Sequence, residues 1–326
     1  MSERVILSAT QAHDLAVDAL TGIGYGTDEA RIVAEHVVDA ALCGYEYSGL
    51  PKVLNLIEHT RARGPHRPMR VLHETPLSAR LDGGNQNGML AMRRATDMAI
   101  AKAGERGFAV VGVNNIWMSG RSAHYVERVA NAGLIGLHTV ASRPQVAPPG
   151  AARPAIGTNP LACGFPTEAD PLVIDMGTAA FMFTDLMFRE RRCEALPDGV
   201  AIDAQGRPTI DPAAARLGAV LSFGAHKGFA LALAMAALGV AAGSGEDADH
   251  AGYLMIAIRP DLLLPLEAYR RELSLVIARV KSVQRLPGVA AIRIPSERAF
   301  AERRRRRLDG VEIDAAIHAA LKAAAR

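Results

Sequence analysis

Apolar residues recur along this chain with two different spacings, and segments of the two kinds alternate. Residues 27–44 place apolar side chains every three or four positions, as in a helix that buries one face. Residues 108–113 and 134–141 are instead nearly continuous apolar runs, which is typical of buried strands. The alternation predicts helices packed on a sheet, and therefore an α/β or α+β core.

The same two patterns predict the remaining elements. We expect helices over residues 8–20, 27–44, 51–63, 88–106, 122–132, 265–281 and 310–325, and one that begins at Lys227. We expect strands over residues 71–82, 108–113, 134–141, 172–176, 253–258 and 290–294. Residues 142–160 and 197–212 are rich in turn-forming residues and are expected to be loops.

Bulk composition excludes several classes of protein. The chain has 326 residues and is 49% hydrophobic, which is enough for a core in one or two domains. Its three cysteines form no CxxC pair, so neither a disulfide framework nor a zinc or other metal site is expected, and a cytoplasmic location fits. The net charge of +3 depends on the run from Arg303 to Arg307. Such a run is usually a solvated helix face, so we expect no nucleic-acid partner.

Two further segments bear on location. The first twenty residues lack the basic start and long apolar core of a signal peptide. Residues 228–243 are the most apolar stretch, but they are too short and alanine-rich for a membrane span and are expected to form a buried helix. We therefore expect no membrane partner.

The dinucleotide-binding fingerprint of a Rossmann fold is absent. Its nearest approach is Gly22, Gly24 and Gly26, which lie between two predicted helices instead of following a strand. A flexible turn between helices explains these glycines better. A nicotinamide cofactor, if this chain binds one, is held in another way.

Three loop segments carry possible ligand groups, each with a plainer alternative. The pair Thr158-Asn159 can fix a polar ligand or simply form a self-bonding turn. Asp185, ten residues after Asp175, can be catalytic or can cap a helix. Lys227 between glycines at a helix start suits a phosphate, or it is an ordinary surface lysine.

Taken together, short pieces of this sequence resemble the type-2 malate/lactate dehydrogenase family in order and spacing. The family includes reductases of the cyclic imines Δ1-piperideine-2-carboxylate and Δ1-pyrroline-2-carboxylate. The pieces are residues 44–52, 82–83 with Gly88, 157–160 (GTNP), 175–178 (DMGT), 196–203 (LPDGVAID), 206–212 (GRPTIDP), 226–228 (HKG) and 295–297 (PSE).

The resemblance implies a fold and a domain division. The fold is α+β (mixed α/β), with a non-Rossmann, mixed and largely antiparallel sheet flanked by helices. A smaller helical, dimerisation domain is built from both chain ends, residues 1–70 and 265–326, and residues 71–264 form the cofactor-binding domain. The resemblance also implies a homodimer, and the segment 243–252 is expected to be shorter than in the family.

The catalytic turn departs from the family pattern, which reads Gly-x-Asp-Ser-His-Gly with an arginine four residues after the histidine. Here Tyr47 stands at the serine position, Ser48 at the histidine position and Lys52 at the arginine position. Asp185 matches the family's relay aspartate, and Met118 replaces a second histidine. The resemblance thus implies catalytic roles for Tyr47, Ser48 and Asp185.

Other roles carry over by position. The substrate pocket is expected to contain Lys52, Thr158, Phe183 and Thr184, and to be bulkier and more apolar than usual in the family. The cofactor, NADP or NAD, is expected to contact Met118, Ser119, Gly120, Arg121, Ser122, Met176, Gly177, Thr178, His226, Lys227, Gly228 and Ser296. Possible contacts of a 2′-phosphate are Arg121, Arg189, Arg191 and Arg192.

The missing histidine decides which function we expect. Reduction of a C=O bond needs a proton in the transition state, and histidine supplies one well near neutral pH. An iminium nitrogen already carries its proton. We therefore expect an NAD(P)H-dependent reductase of a 2-imino acid or cyclic imine carboxylate. The alternatives are a 2-oxo acid/2-hydroxy acid dehydrogenase of the malate or lactate type, and a scaffold reused for a non-redox role.

Overall fold

The computed structural model describes residues 3–244 and 251–325, so most of the expected short segment 243–252 lies outside the described residues. Helices alternate with strands along the chain, as the apolar spacing predicts. The helices are α1 Ala9–Gly22, α2 Thr27–Leu42, α3 Pro51–Glu58, α4 Gly88–Arg106, α5 Ser122–Asn131, α6 Phe183–Arg192, α7 Pro212–Leu217, α8 His226–Ala241, α9 Leu266–Ser282, α10 Glu297–Asp309 and α11 Ala315–Ala324.

Several of the strands are short, and no apolar run in the sequence predicts them. They are β1 Arg4–Leu7, β2 Arg70–Glu74, β3 Ser78–Asn87, β4 Phe108–Trp117, β5 Ile135–Ala141, β6 Val146–Ala147, β7 Leu161–Phe165, β8 Leu172–Met176, β9 Ala201–Ile202, β10 Ala219–Leu221, β11 Gly252–Ile258 and β12 Val311–Asp314. Short 3₁₀ helices cover Glu46–Ser48, Thr60–Arg63 and Pro260–Leu262.

A seven-stranded sheet in the order β2-β3-β4-β11-β5-β7-β8 forms the centre of the molecule. Only β3 and β4 pair in parallel, and the other neighbours in this sheet are antiparallel. A three-stranded sheet, β6-β10-β9, and the pair β1-β12 complete the described strands. The mixed, largely antiparallel α+β fold expected from the sequence is confirmed.

Two large hydrophobic clusters hold the chain together. The first joins the central sheet to α4 and α5, where alanines of α4 pack on valines of β4. The second joins elements from both chain ends: α1, α2 and α3 with β12 and α11. Met89 and Trp117 belong to this second cluster. The first turn of α4 and the end of β4 are therefore buried against helices from the beginning and the end of the chain.

Local sequence signals fix some boundaries as predicted. The Ser8 side chain accepts a hydrogen bond from the Gln11 amide, and the Gln11 side chain accepts one from the Ser8 amide, a capping box that starts α1. The three glycines at 22, 24 and 26 lie at the α1–α2 turn, as predicted.

Several predicted elements are wrong. Residues 290–294 form no strand, residues 71–82 form parts of the two paired strands β2 and β3, and the segment after Gly310 begins with β12 before it becomes α11. The first four residues of that segment pair with β1, a partner three hundred residues away in sequence. Local apolar spacing cannot reveal such a distant partner.

The arginine run lies in α10, as predicted, but it is not a solvated face throughout. Arg303 is largely buried and binds Asp39 and Glu127. Arg305 and Arg306 pair with Glu302, and Arg304 pairs with Asp170. Carboxylates within the chain neutralise much of the run.

Candidate active site

The predicted site residues gather at one edge of the central sheet. Strand register places Asn87, Trp117, Ala141 and Met176, the last residues of β3, β4, β5 and β8, at the same edge. β11 and β7 begin at that edge. The loops that leave it carry Met118 to Ser122, Thr158, and Gly177 with Thr178.

Hydrogen bonds join three of the predicted segments at this edge. The Thr178 amide and hydroxyl both donate to the Thr158 carbonyl oxygen at 2.9 Å. The Phe223 amide donates to the Thr178 carbonyl oxygen at 3.2 Å, which brings in the segment that leads to α8. Gly228 closes the same group, since its amide donates to the Phe223 carbonyl oxygen at 3.0 Å.

Asp175 ties the end of β8 to the start of α5. Its carboxylate accepts a hydrogen bond from the Ala123 amide at 2.7 Å, a favourable place for an anion because α5 begins there. Burial raises the pKa of Asp175, against the opposing effects of the Ala123 amide and of Arg121. The residue thus fixes the position of Ser122 beside the strand end.

The predicted catalytic turn, residues 44–52, lies against α6. Tyr47 sits in a short 3₁₀ helix and faces a small cleft between α3 and α6. Burial raises the pKa of the Tyr47 phenol, and so do the neighbouring Asp185 and Asp175 carboxylates, while a hydrogen bond with the Ser48 side chain lowers it. Tyr47 therefore stays protonated at neutral pH. The cleft is lined by Tyr47, Pro51, Asn55, Thr184, Met187 and Phe188.

Asp185 lies in the first turn of α6, where it is partly buried. Burial raises the pKa of its carboxyl, and the Arg189 guanidinium, 4.0 Å away, opposes that shift. Thr184 lines the Tyr47 cleft, and its neighbour Phe183 is not among the cleft residues, so their place in a substrate pocket stays a prediction. The structure thus brings Tyr47, Ser48, Thr184 and Asp185 together.

Lys52 is an unpaired buried cation. It lies in the first turn of α3 and is 6% exposed. In the described part of the chain its ammonium group has no hydrogen-bond or ion-pair partner, and burial lowers its pKa to about 8. An ammonium group without a partner is costly to bury, so the site favours an anion beside it.

Three of the predicted cofactor segments contain backbone strain. Met118 (φ 56°), Ala225 (φ 50°) and Ser296 (φ 65°) have left-handed φ values that such residues rarely adopt. Ala225 directly precedes His226, Lys227 and α8. Strain of this kind concentrates where a ligand is clamped.

A buried polar atom without a hydrogen-bond partner also supports a ligand site at these segments. The Ser222 hydroxyl is buried without a hydrogen-bond partner among the described residues. It lies beside Ala179, next to the Thr178 segment. These features fit a bound polar cofactor.

Three of the four side chains proposed for a 2′-phosphate are engaged elsewhere. Arg121 pairs with Asp39 at 3.2 Å, Arg189 donates to the Ala195 carbonyl oxygen, and Arg192 pairs with Glu194. The Arg191 side chain lies outside the described part. The predicted contact between Arg121 and the cofactor therefore stays a prediction.

Tyr45 brings the Ser296 segment to the rest of the site. The Arg121 and Arg298 guanidinium groups lie 5.3 and 4.9 Å from the centre of its ring. Such distances are typical of cation–π contacts. The start of α10, where Ser296 lies, is thereby linked to the turn that carries Met118.

Sequence reasoning missed three aromatic residues around this turn. His36 and Tyr125 are fully buried and bind it directly. His59 stacks on Trp117, with ring centres 4.6 Å apart, and burial and the neighbouring cations, Lys52 among them, lower its pKa. Its Nδ1 accepts the Arg61 amide, so the ring is neutral near pH 7. The available signal for His36 was a histidine inside the apolar face of α2.

Comparison with known proteins finds similarity over nearly the whole chain. The family model described as malate/L-lactate dehydrogenase matches residues 7–322. L-sulfolactate dehydrogenase of Methanocaldococcus jannaschii is 30% identical, over 98% of this chain and 96% of that protein. Delta(1)-pyrroline-2-carboxylate reductase of Ancylobacter novellus is 30% identical, over 99% and 98%. Delta1-piperideine-2-carboxylate reductase from Pseudomonas syringae pvar. tomato superposes with a TM-score of 0.84 at 28% identity, covering 98% and 99%.

Fold, site and relatives define an oxidoreductase of the dehydrogenase/reductase class. Its relatives act on hydroxy or oxo acids and on cyclic imine carboxylates. The chain belongs to the malate/L-lactate dehydrogenase family, whose members use nicotinamide cofactors. In the described part of the chain, no helix is long and apolar enough to cross a membrane.

Proposed function

We propose that this protein is an NAD(P)H-dependent reductase of a 2-imino acid or a cyclic imine carboxylate. The observation that carries the proposal is a buried cation for an anion beside a cleft whose described lining has Tyr47, a weak acid, as its titratable group. Lys52 supplies the cation, and its lack of a partner among the described residues leaves it available for the substrate carboxylate.

The phenol of Tyr47, in the cleft, keeps its proton at neutral pH. Tyr47 is the titratable residue among those that line the cleft, and its raised pKa makes the phenol a weak acid. The oxygen of such a phenol can accept a hydrogen bond from a protonated substrate nitrogen and so orient it, with Ser48 and Asp185 setting its position. A substrate that arrives as an iminium brings its own proton and needs no stronger acid.

The bound nicotinamide supplies a hydride for the C=N carbon. Residues 118–122, 176–178 and 226–228, with Ser296, would hold the cofactor at the edge of the sheet. Lys227, at the exposed start of α8, would face its phosphates together with the amides of the first helical turn. The three cysteines are free, which fits our placement of this activity in the cytoplasm.

The test uses the single tryptophan of the chain, Trp117, which directly precedes Met118. Titration with NADPH and with NADH should quench Trp117 fluorescence, and oxidation of the preferred cofactor should follow with Δ1-pyrroline-2-carboxylate or Δ1-piperideine-2-carboxylate. Pyruvate and oxaloacetate should react much more slowly. Failure to bind either cofactor would falsify the proposal.

A second candidate is reduction of a 2-oxo acid, because L-sulfolactate dehydrogenase and the imine reductases are equally similar to this chain. The same substrate panel separates the two. Faster turnover of oxo acids than of cyclic imines would favour this candidate.

We infer that the enzyme works as a homodimer. Residues 230, 233, 234, 237, 240 and 241 form an exposed stripe along α8 that contains only Ala, Leu and Val. α9 has no buried residue within its own chain, although it carries the apolar side chains Leu275, Val276 and Val280. A second copy would cover these faces. We also propose that residues 1–70 and 265–326 form the dimerisation domain, which contributes α9 to the interface. Residues 71–264 then form the cofactor-binding domain, which contributes α8.

A further inference from the structure

The backbone conformation of the turn between β4 and α5 is not stabilised by regular secondary structure. Met118 (φ 56°) and Gly120 (φ 76°) both adopt left-handed conformations, and a non-glycine residue such as Met118 is strained there. No strand ladder or helix includes residues 118–121. Their conformation therefore depends on contacts with neighbouring elements.

Two buried aromatic residues bind the main chain of this turn. The Tyr125 hydroxyl donates to the Ser119 carbonyl oxygen at 2.5 Å. The Arg121 amide donates to His36 Nε2 at 2.8 Å. Both bonds end on main-chain atoms of the turn, so they act on the path of the backbone between Met118 and Arg121 and not on any side chain that the turn presents.

Close packing leaves the turn little room to move. A Cβ at Gly120 would collide with the His36 imidazole, and a Cβ at Gly88 would lie 2.8 Å from the Ser119 amide nitrogen. Trp117, just before the turn, donates from Nε1 to the Asn85 carbonyl oxygen at 3.0 Å. The turn is thus held between the first turn of α4 and the ring of His36.

His36 accepts its hydrogen bond as a neutral ring. Burial, His124 and Arg121 lower its pKa well below the usual value, with Lys52 acting in the same direction and Asp39 against it. The His124 and Tyr125 rings lie 4.5 and 5.4 Å from the ring of His36. Since Nε2 is the acceptor, the proton of the neutral ring resides on Nδ1.

We propose that His36 and Tyr125 are positioning residues, which hold the strained turn 118–121 in the conformation that receives the nicotinamide. The inference rests on the proposed function, because it assigns this turn to the cofactor. Neither side chain touches the reacting atoms. They act through the main chain of Ser119 and Arg121, and an error in that position lowers the rate more than the affinity for substrate.

The first test needs neither cofactor nor substrate. Hydrogen–deuterium exchange of the Arg121 amide should be about tenfold faster in His36→Leu, which removes the acceptor. His36→Gln should restore part of the protection, since its side-chain oxygen can accept the bond. Amides in the middle of α5 should exchange as in the wild type. Equal exchange of the Arg121 amide in wild type and His36→Leu would overturn the role of His36.

The second test compares Tyr125→Phe with Thr96→Val. Each change removes one buried hydroxyl that donates to a main-chain carbonyl, and Thr96 donates to Met92 within α4 at 2.7 Å. Both variants should therefore lose similar thermal stability. Only Tyr125→Phe should lower kcat with Δ1-pyrroline-2-carboxylate, by about tenfold, with the KM for the imine nearly unchanged.

The outcomes separate the two hypotheses. A wild-type enzyme that turns over, combined with a Tyr125→Phe variant that behaves like Thr96→Val, overturns the positioning role alone. A wild type that quenches Trp117 with neither NADPH nor NADH overturns the proposed function, and this inference with it. A drop in kcat confined to the turn variants, with faster Arg121 exchange in His36→Leu, supports the inference.

Discussion

Burial shifts the two main polar groups of the catalytic turn in opposite directions. It lowers the pKa of Lys52 to about 8 and raises the pKa of Tyr47. Burial is the largest cause of both shifts, since a poorly solvated site disfavours the charged form of either group. At neutral pH the lysine therefore still carries most of its charge, and the tyrosine keeps its proton. The site can bind an anion and donate a hydrogen bond at the same time.

The pKa of Lys52 leads to a testable pH dependence. If the protonated amine binds the substrate carboxylate, kcat/KM should fall about tenfold per pH unit above about 8, as Lys52 loses its proton. Lys52→Arg should remove this limb, because arginine stays charged. The profile of kcat/KM against pH for both enzymes checks this.

A matched control excludes a general effect of replacing a lysine by an arginine. Lys102 pairs with Glu74 far from the site, and Lys102→Arg should keep the wild-type profile. Titration of the substrate itself affects all three enzymes equally. An unchanged limb in Lys52→Arg would show that another group titrates.

Ser48 offers a direct test of the missing proton donor. Ser48→His places a group that titrates near neutral pH beside Tyr47, so reduction of pyruvate or oxaloacetate should rise by about tenfold or more. Reduction of a cyclic imine should change little, because its nitrogen is already protonated. Ser48→Ala is the control, and it should raise neither rate. An equal gain for oxo acids and imines would argue against the iminium explanation.

At the scale of elements, a buried ionic cluster joins α2, α5 and α10. Arg303 on α10 binds Asp39 of α2 at 2.9 Å and Glu127 of α5 at 2.5 Å. Arg121, just before α5, binds Asp39 at 3.2 Å and lies 3.9 Å from Glu127. Two cations thus neutralise two carboxylates at the place where α10 meets the turn between β4 and α5.

Removing one cation from this cluster should be costly. Arg303→Ala leaves Arg121 as the one arginine that faces both Asp39 and Glu127 in this cluster, so we expect a loss of about 3 kcal/mol in the free energy of unfolding. Arg304→Ala, which breaks an exposed pair with Asp170, should cost less than about 0.5 kcal/mol. Urea unfolding of both variants measures the difference. Equal midpoints would mean that the buried cluster does not support the fold.

Acid should weaken the same cluster. Hydrogen bonding to His124 and the charges of Arg121 and Arg303 outweigh burial and lower the pKa of Asp39 from 3.8 to about 2. A depressed carboxyl pKa stabilises the fold above its unfolded value, and this stabilisation is lost as the pH falls from about 4 to about 2. The stability gap between wild type and Asp39→Asn should therefore shrink over that range. Urea midpoints at a series of pH values test this, and a constant gap would contradict it.

Sequence reasoning succeeds for elements whose signal is local. The starts of α1 and β4 lie where the pattern places them, because each depends on residues within one turn or one strand. It fails for β12, which forms by pairing with the distant β1, and for the turn that divides residues 71–82 between β2 and β3. The site shows the same division. Motif order proposes Tyr47, Lys52 and Asp185 as site residues, whereas His36 and Tyr125 meet the Ser119 turn only through tertiary packing.

At the scale of the whole molecule, α8 and α9 expose apolar surface that the chain itself does not cover. Leu233 and Val240 on α8 are 50% and 59% exposed. Neither lies in the segment proposed to hold the cofactor. An extended exposed apolar stripe of this kind is typical of an interface.

The homodimer can be tested through that stripe. A charge at the centre of an apolar interface is desolvated without a partner, so Leu233→Glu and Val240→Glu should give monomers where the wild type is a dimer. Leu308→Glu is the control, because Leu308 on α10 is 88% exposed but lies outside the stripe, and this variant should remain a dimer. Sedimentation velocity over a range of protein concentrations measures all four. A monomeric wild type, or a dimer that both stripe variants retain, would show that α8 is not the interface.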